Sequence, residues 1–357
     1  MQITTLTTAV PDATPTALQV VWFGLIAVLW TGFLVLEGFD FGVGTLLAVL
    51  GKGRDAADTE KRRRVMLNTI GPFWDGNEVW LLTAGGAMFA AFPHWYATMF
   101  SAFYLPLLLV LVALIVRNMG FEYRHKRDDV QWRRNWDVAI ILGSVLPPVL
   151  IGVALTNIVR GMPIDAEMEF TGNLFTLLNP MSLLGGIVVL GLSLTHGTHF
   201  LALKTDGEIR GDARALGTKI GLVTAVLAVV LLVWIGIIHG TMWSWIATAL
   251  AALALLFAIG MNSVGKEGLA FTGTAATMAL AVATYFLALF PDVMPTTLAD
   301  GTSLTVMNAS STPMTLTIMT WAAVVFTPIA LLYTAWSYWT FRKRISVAHI
   351  PDPVAVS

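Results

Sequence analysis

The chain has 357 residues, of which 56% are hydrophobic and only 12% are charged, and its formal net charge is −1. Soluble domains carry about 25% charged residues, so this composition excludes an ordinary soluble domain. The near-zero net charge gives no reason to expect binding to nucleic acid, and the lack of cysteine excludes disulfides and thiolate metal sites.

Continuous apolar runs of about 20 residues recur along the chain, a pattern typical of membrane-spanning helices rather than of a barrel. We predict an all-α polytopic membrane protein that forms one domain over 1–357, with about 18–340 embedded. Nine spans are predicted, at roughly 18–48, 74–93, 96–116, 138–158, 181–203, 220–238, 243–261, 269–290 and 315–340. The stretch before the first span has no basic residue, so we expect this helix to be retained rather than cleaved as a signal peptide.

The basic residues predict the orientation of the chain. All of the 21 lysines and arginines except Arg160 fall in 51–64, 117–134, 204–219, the turn at Lys266 or the tail after 340. Two predicted spans separate each of these segments from the next, so all of them lie on one side of the membrane. Cytoplasmic loops carry such an excess, so we predict an external N-terminus and a cytoplasmic C-terminus.

Two acidic residues occur in the first predicted span. Glu37 and Asp40 lie in LEGFDFGVG near its cytoplasmic end, and their i, i+3 spacing puts them on one helix face. A charge at the centre of a membrane helix costs roughly 2.5–3.5 kcal/mol. Either the helix ends near Glu37 and the acids are solvated, or they are buried for proton handling or beside a partner. The nearby Gly38, Gly42 and Gly44 predict close approach of another helix.

The second predicted span begins with the polar run WDGNEVW. Its apolar part, 79–93, is too short to cross a hydrocarbon core of about 30 Å, so the span must include the polar residues. Asp75 and Glu78 have the spacing of an N-cap and the N3 residue of a capping box, and acids suit the start of a helix. Capping does not explain Asn77, nor Trp74 and Trp80, although tryptophan is common at the membrane interface.

A further acid, Asp137, begins the fourth predicted span, where it is either an N-cap or part of a larger group. Glu37, Asp40, Asp75, Glu78 and Asp137 all fall at a similar depth on the cytoplasmic side. Carboxylates near one membrane surface are typical of proton relays in pumps and transporters. Their convergence predicts a proton site more strongly than any one of them does.

Two histidines in the fifth predicted span are candidates for metal or haem ligation. His196 and His199 in THGTH share one helix face. Haem irons take their ligands from separate helices or from one axial histidine, so hydrogen-bonded interior histidines are the favoured interpretation. We predict no metal site in this chain.

Several longer motifs resemble subunit II of the cytochrome bd quinol oxidase family. LEGFDFGVG resembles the first-helix motif of the family, and NTIGPFWDGNEVWLLTAGGAMFAAFP resembles its most characteristic stretch. WRRNWD, FTGNLFTLLNP, MNASS and TLTIMTWAAVVFTPIALLYTAWSYW follow in the family order. The resemblance extends from about residue 20 to 344.

This resemblance implies a haem-free subunit of a quinol:oxygen oxidoreductase in the bacterial cytoplasmic (inner) membrane. Its partner, subunit I, would carry haems b and d and oxidise quinol. The resemblance implies two four-helix bundles plus one peripheral helix, and leaves open small accessory subunits and a quinone or lipid bound here. It implies a proton path through Glu37, Asp40, Asp75 and, less directly, Asp137, with Asp75 facing the first two and with support from Trp74, Asn77 and Glu78.

The chain departs from the family pattern at two positions. Glu37 stands where many members have aspartate, which keeps the charge but changes its reach. Phe73 stands where several members have histidine, so any proton transfer by that histidine is absent here.

Two other functions use the same residues. A proton-coupled secondary transporter also needs intramembrane acids, although such proteins often show inverted repeats and a site near the midplane, which this sequence lacks. Alternatively, the chain is a purely structural partner whose acids only cap helices.

Overall fold

The structure is a computed structural model that describes residues 14–350. Most of the stretch considered for a signal peptide therefore lies outside the described residues. The helices are α1 Ala17–Leu46, α2 Ala56–Ile70, α3 Trp74–Ala91, α4 Pro93–Ala102, α5 Tyr104–Tyr123, α6 Val130–Arg160, α7 Leu174–Leu177, α8 Pro180–Lys204, α9 Glu208–His239, α10 Met242–Ser263, α11 Glu267–Leu289 and α12 Pro313–Thr340. A two-stranded antiparallel hairpin, β1 Asp292–Met294 and β2 Leu304–Thr305, and a 3₁₀ turn, Val347–His349, complete the described part.

The helical membrane architecture predicted from the sequence is confirmed. Within residues 14–350, eight helices are long and apolar enough to cross a membrane: α1, α5, α6, α8, α9, α10, α11 and α12. The remaining predicted span corresponds to α3, which is 18 residues long and begins with the polar WDGNE run that lowers its hydropathy. The count of nine spans, the two-bundle grouping and the orientation stay predictions.

The third predicted span begins later than expected. Instead of one helix over 96–116, the chain forms α4 and α5, separated by Phe103 with φ −103° and ψ 22°. Pro106 explains the break, because it has no N–H to donate to the carbonyl of Ala102 and its ring clashes with a continuing helix. The 20 residues of α5 then reach about 30 Å, enough to cross a bilayer core.

The glycines of LEGFDFGVG allow close helix packing, as predicted. A Cβ added at Gly42 would lie 2.1 Å from the carbonyl oxygen of Ser193 and 2.8 Å from the Cα of Gly197, both on α8. A Cβ added at Gly44 would lie 2.1 Å from Oγ of Ser144 on α6. The helix α1 therefore packs between α8 and α6 at close range, and it also contacts α3 and α11.

One helix lies at the periphery of the chain. Of the residues of α12, Leu316 alone is buried. Near its first turns, the indole Nε1 of Trp22 on α1 donates to the carbonyl oxygen of Leu316 at 3.2 Å and to Oγ1 of Thr320 at 3.0 Å. At its other end, the segment 341–350 turns back onto the end of α8. We call the side of the molecule with this segment and the loops rich in lysine and arginine the basic end.

Candidate functional site

The two acids of α1 lie inside a continuous helix. Because α1 remains helical to Leu46, Glu37 and Asp40 do not follow a helix end, and both side chains are fully buried. The alternative of solvated acids beyond the helix is therefore wrong. Burying an unpaired carboxylate is very costly, so each needs a compensating partner.

Arg117 of α5 is the partner of Glu37. Its side chain is fully buried, and its Nη1 donates to Oε1 of Glu37 in an ion pair. The guanidinium carbon also lies 4.8 Å from the ring centroid of Phe41 and 5.0 Å from that of Phe121, which are cation–π distances. The prediction that Arg117 belongs to the loop charges of 117–134 is wrong, because α5 extends to Tyr123.

Asp40 is held by an amide rather than by a cation. Nδ2 of Asn77, on α3, donates to Oδ2 of Asp40 at 2.6 Å and to the carbonyl oxygen of Leu36 at 3.1 Å. The Oη of Tyr338, on α12, donates to Oδ1 of Asn77 at 2.9 Å. Three helices therefore meet at the side chain of Asn77, for which only a supporting role was predicted.

Each buried carboxylate has one anchored oxygen and one free oxygen. Oε1 of Glu37 and Oδ2 of Asp40 accept hydrogen bonds, whereas Oε2 of Glu37 and Oδ1 of Asp40 are buried without a partner among the described residues. A proton can bind to a free oxygen without breaking the bond that positions the group. The pair is thus chemically suited to taking up and releasing protons.

Glu78 extends this group toward Asn118. It is half-buried on α3, and its Oε2 accepts a hydrogen bond of 2.6 Å from Nδ2 of Asn118 on α5. The predicted capping role is wrong for both acids of α3, since the N-cap is Phe73 and no side chain caps this helix. Glu78 therefore contributes a third carboxylate close to the buried pair.

Asp75 does not face Asp40 and Glu37. It is the second residue of α3, its side chain is exposed, and it makes no hydrogen bond or ion pair with the described residues. Asn77, two positions later, points instead toward α1, because residues two apart lie about 200° apart around a helix. The adjacent Trp74 contacts Phe121 with ring centroids 5.4 Å apart.

Asp137 belongs to a separate ion-pair network. It lies inside α6, whose N-cap is Asp129, so the N-cap interpretation of Asp137 is wrong. Its Oδ1 accepts from Nε of Arg124 at 2.6 Å, and its Oδ2 accepts from Nη1 of Arg63 at 2.8 Å. Arg124 also binds both oxygens of Glu60, at 2.9 and 2.7 Å. Burial lowers the pKa of Arg124, but the two carboxylates raise this pKa by more, so the guanidinium stays charged.

Replacing Asp137 with alanine is expected to lower the stability of the protein by about 3 kcal/mol, because it leaves Arg63 without its carboxylate and Arg124 with Glu60 alone in a largely buried place. The matched control is Asp128→Ala, which removes an ion pair to Arg133 from an aspartate whose side chain is 99% exposed. That pair should contribute at most about 1 kcal/mol. Thermal unfolding of the two purified variants measures the difference, and equal midpoints would contradict the prediction.

The two histidines of α8 are interior residues, as predicted. His196 and His199 are fully buried, and Nδ1 of His196 lies 2.6 Å from Oγ1 of Thr274. The His196 ring stacks on Phe271 with centroids 4.3 Å apart. The His199 ring lies beside the backbone of Ala270 without a hydrogen bond of normal geometry, so the predicted hydrogen bond is well formed only for His196. Within residues 14–350 there is no cluster of three or more metal-ligating side chains.

A cavity of about 400 Å³ has none of these acids in its walls. Its walls come from α1, α3, α4, α6 and α8 to α11, and they are almost wholly apolar. Representative lining residues are Trp30, Met88, Trp95, Val188, Leu232 and Phe286. Such a surface suits a hydrocarbon chain rather than a polar ligand.

Comparison with known proteins gives a consistent result. Residues 18–341 match the profile of the family described as cytochrome bd terminal oxidase subunit II. The chain is 44% identical to cytochrome bd ubiquinol oxidase subunit 2 of Bacillus subtilis (strain 168), covering 92% of this chain and 97% of that one. It is 40% identical to cytochrome bd-I ubiquinol oxidase subunit 2 of Escherichia coli (strain K12), covering 92% and 95%.

A solved structure shows the same fold. A chain in the structure of bd oxidase from Geobacillus thermodenitrificans superposes with a TM-score of 0.74 at 16% identity, covering 91% of this chain and 97% of that one. The relatives are bacterial, and eight helices of the described part are apolar enough to span a membrane, so this is a multi-pass protein of the bacterial inner membrane. With a profile match over most of its length and relatives at 40–44% identity, the chain belongs to the cytochrome bd terminal oxidase subunit II family.

Proposed function

We propose that the chain is the haem-free subunit of a quinol:oxygen oxidoreductase, and that it supports assembly of a subunit I carrying haems b and d. We further propose that it provides part of a cytoplasmic proton path for the reduction of oxygen to water. The observation that carries the path is the buried group on α1, where Glu37 pairs with Arg117 and Asp40 with Asn77. Family membership favours this function over a proton-coupled transporter.

Within the proposed path the acids have different roles. Glu37 and Asp40 take and release protons at their free oxygens, and the half-buried Glu78 connects them with the surface of α3. Both oxygens of Asp137 are held by guanidinium groups, so it fixes the helices at the basic end rather than passing protons. Asp75 lies at the surface that subunit I would cover.

The exposed face of α3 is the proposed contact with subunit I. Asp75, Gly76, Val79, Leu82 and Gly86 recur along this face at helical spacing and are exposed. A Cβ added at Gly76 or Gly86 would meet nothing within 4 Å, so this chain leaves both glycines open to a neighbouring helix. An exposed carboxylate on a membrane helix also favours a protein or water-filled neighbour over lipid. The apolar cavity is proposed to hold the tail of a quinone or lipid.

The substitution Asp40→Asn in the whole complex tests the proposed path. Asparagine keeps the shape and can still accept from Nδ2 of Asn77, but it cannot carry a proton. We expect quinol-dependent oxygen consumption to fall at least about tenfold while the haem absorption bands and subunit content are unchanged. Oxygen electrode rates and visible spectra of the purified complex measure both.

The control is Asp292→Asn at the end opposite the basic end, where the aspartate lies in β1 and is half-buried. This variant should respire normally. Normal turnover in Asp40→Asn would overturn the proton path. Loss of the haem bands in Asp40→Asn would instead make Asp40 a structural residue.

A further inference from the structure

Tyr338, near the basic end of α12, connects this peripheral helix with the buried acids. Its Oη donates to Oδ1 of Asn77, and its ring stacks on Phe73 with centroids 4.4 Å apart and planes 16° apart. A second aromatic contact, to Phe39, has centroids 6.4 Å apart. The hydroxyl thus lies two hydrogen bonds from Asp40, through the side chain of Asn77.

The bond from Tyr338 helps to define the orientation of the amide of Asn77. An amide oxygen can only accept and an amide nitrogen can only donate. With Oδ1 occupied by the tyrosine hydroxyl, Nδ2 is directed toward α1, where it donates to Asp40 and Leu36. In this orientation every side-chain contact of Asn77 joins a donor to an acceptor, and Oδ1 of Asp40 remains free for a proton.

The C-terminal segment (341–350) holds the end of α12 in place. Nζ of Lys204 donates to the carbonyl oxygens of Phe341 and Lys343, the latter at 3.2 Å, and so satisfies groups at the end of the helix. The backbone N–H of Ile345 donates to the carbonyl oxygen of Lys204 at 2.9 Å. Arg344 lies 3.1 Å from a carboxylate oxygen of Asp206 and 3.6 Å from one of Glu267. Within α12 itself Leu316 alone is buried, and it lies near the opposite end of the helix.

We propose that Tyr338 is a positioning residue for proton transfer, and that the C-terminal segment keeps it in place. Through Asn77, Tyr338 holds the carboxylate of Asp40 with one oxygen bonded and the other free. This inference rests on the proposed function, in which Asp40 passes protons. The peripheral helix and the C-terminal segment thereby become part of the proton path, although neither carries an acid of the path.

The groups around Asp40 limit what a substitution at position 338 can change. The titratable and charged side chains that interact with Asp40 are Glu37 of α1, Glu78 of α3, Arg117 of α5 and Tyr338 of α12. From α8, His196 and Lys204 contact the neighbouring rings of Phe39 and Phe73. Tyr338→Phe leaves all the others in place and keeps the ring stacked on Phe73. It removes only the hydroxyl.

The test is the pH profile of quinol oxidase turnover in the whole complex carrying Tyr338→Phe. We expect unchanged haem content and a pH profile moved toward higher pH by about half a unit or more. Without the Tyr338 hydroxyl, the amide of Asn77 is no longer fixed, and its N–H donates less well to the ionised form of Asp40. Arg344→Gln, which loosens the C-terminal segment, should move the profile in the same direction by less. Tyr333→Phe on the exposed surface of α12 is the matched control and should leave it unchanged.

A lower rate at every pH with no shift of the profile would mean that Tyr338 is merely structural, and would overturn the proposal. So would a Tyr338→Phe complex that behaves as the unaltered one while Asp40→Asn is inactive. Normal turnover in Asp40→Asn identifies failure of the proposed path itself. If Tyr338→Phe did not assemble, Arg344→Gln would decide, since an unshifted profile in that variant contradicts the proposal.

Discussion

Replacing Arg117 with methionine should destabilise the chain by about 3–5 kcal/mol, which is the cost of removing one partner from a buried ion pair. Methionine fills a similar length without a charge, so Glu37 is left in a fully buried place with no cation. The loss should grow as the pH rises, because a protonated Glu37 tolerates burial and an ionised one does not. Thermal unfolding of the purified complex at several pH values, together with its haem content, measures this.

The double variant Glu37→Gln with Arg117→Met separates stability from proton transfer. Removing both charges together should recover most of the lost stability, since no uncompensated charge remains. Turnover should stay low, because glutamine at position 37 cannot carry a proton. Recovery of both stability and turnover would show that Glu37 serves only the fold. An Arg117→Met complex as stable as the original at all pH values would contradict the ion pair itself.

The partner of Glu37 could not be found from the sequence, for two physical reasons. The residues are separated by 80 positions, so no local spacing relates them. In addition, Arg117 follows a long apolar run and resembles the first residue of a basic loop. The helix break at Phe103, which Pro106 causes, moves the span toward the C-terminus and so brings Arg117 inside α5. Pro106 indicates from the sequence that a helix is interrupted nearby. It does not indicate whether the new helix begins before or after the proline, and this choice decides whether Arg117 lies inside α5.

The apolar runs were enough to predict the main helices, but not the polar contacts between them. The helices α6 and α9 begin at Val130 and Glu208, well before their apolar parts, because charged amphipathic ends also form helix. Of the polar residues in WDGNE, Asn77 and Glu78 form hydrogen bonds with α1 and α5, whereas a role for the exposed Asp75 stays a prediction. Which of Asp75 and Asn77 faces α1 depends on how α3 is rotated against its neighbours, and a polar first turn carries no apolar stripe to indicate that rotation.

A glycine-to-alanine substitution at position 42 should be among the most damaging single changes in the chain. The new Cβ would lie 2.1 Å from the backbone oxygen of Ser193 and 2.8 Å from the Cα of Gly197, so neither clash can be relieved by turning a side chain. The helices α1 and α8 would have to separate at a crossing that lies two residues after Asp40 on α1. We expect a loss of about 3 kcal/mol or more, seen as a lower unfolding temperature and less assembled haem complex.

The matched control is Gly24→Ala on the same helix, where an added Cβ meets nothing within 4 Å. Alanine is favoured over glycine in a helix by about 1 kcal/mol, so this variant should be neutral or slightly stabilised. The two substitutions are chemically identical and differ only in what surrounds them. The difference in stability between the two variants therefore measures the α1–α8 contact directly. If the Gly42→Ala complex were as stable as the Gly24→Ala complex, the close crossing of α1 and α8 would be contradicted.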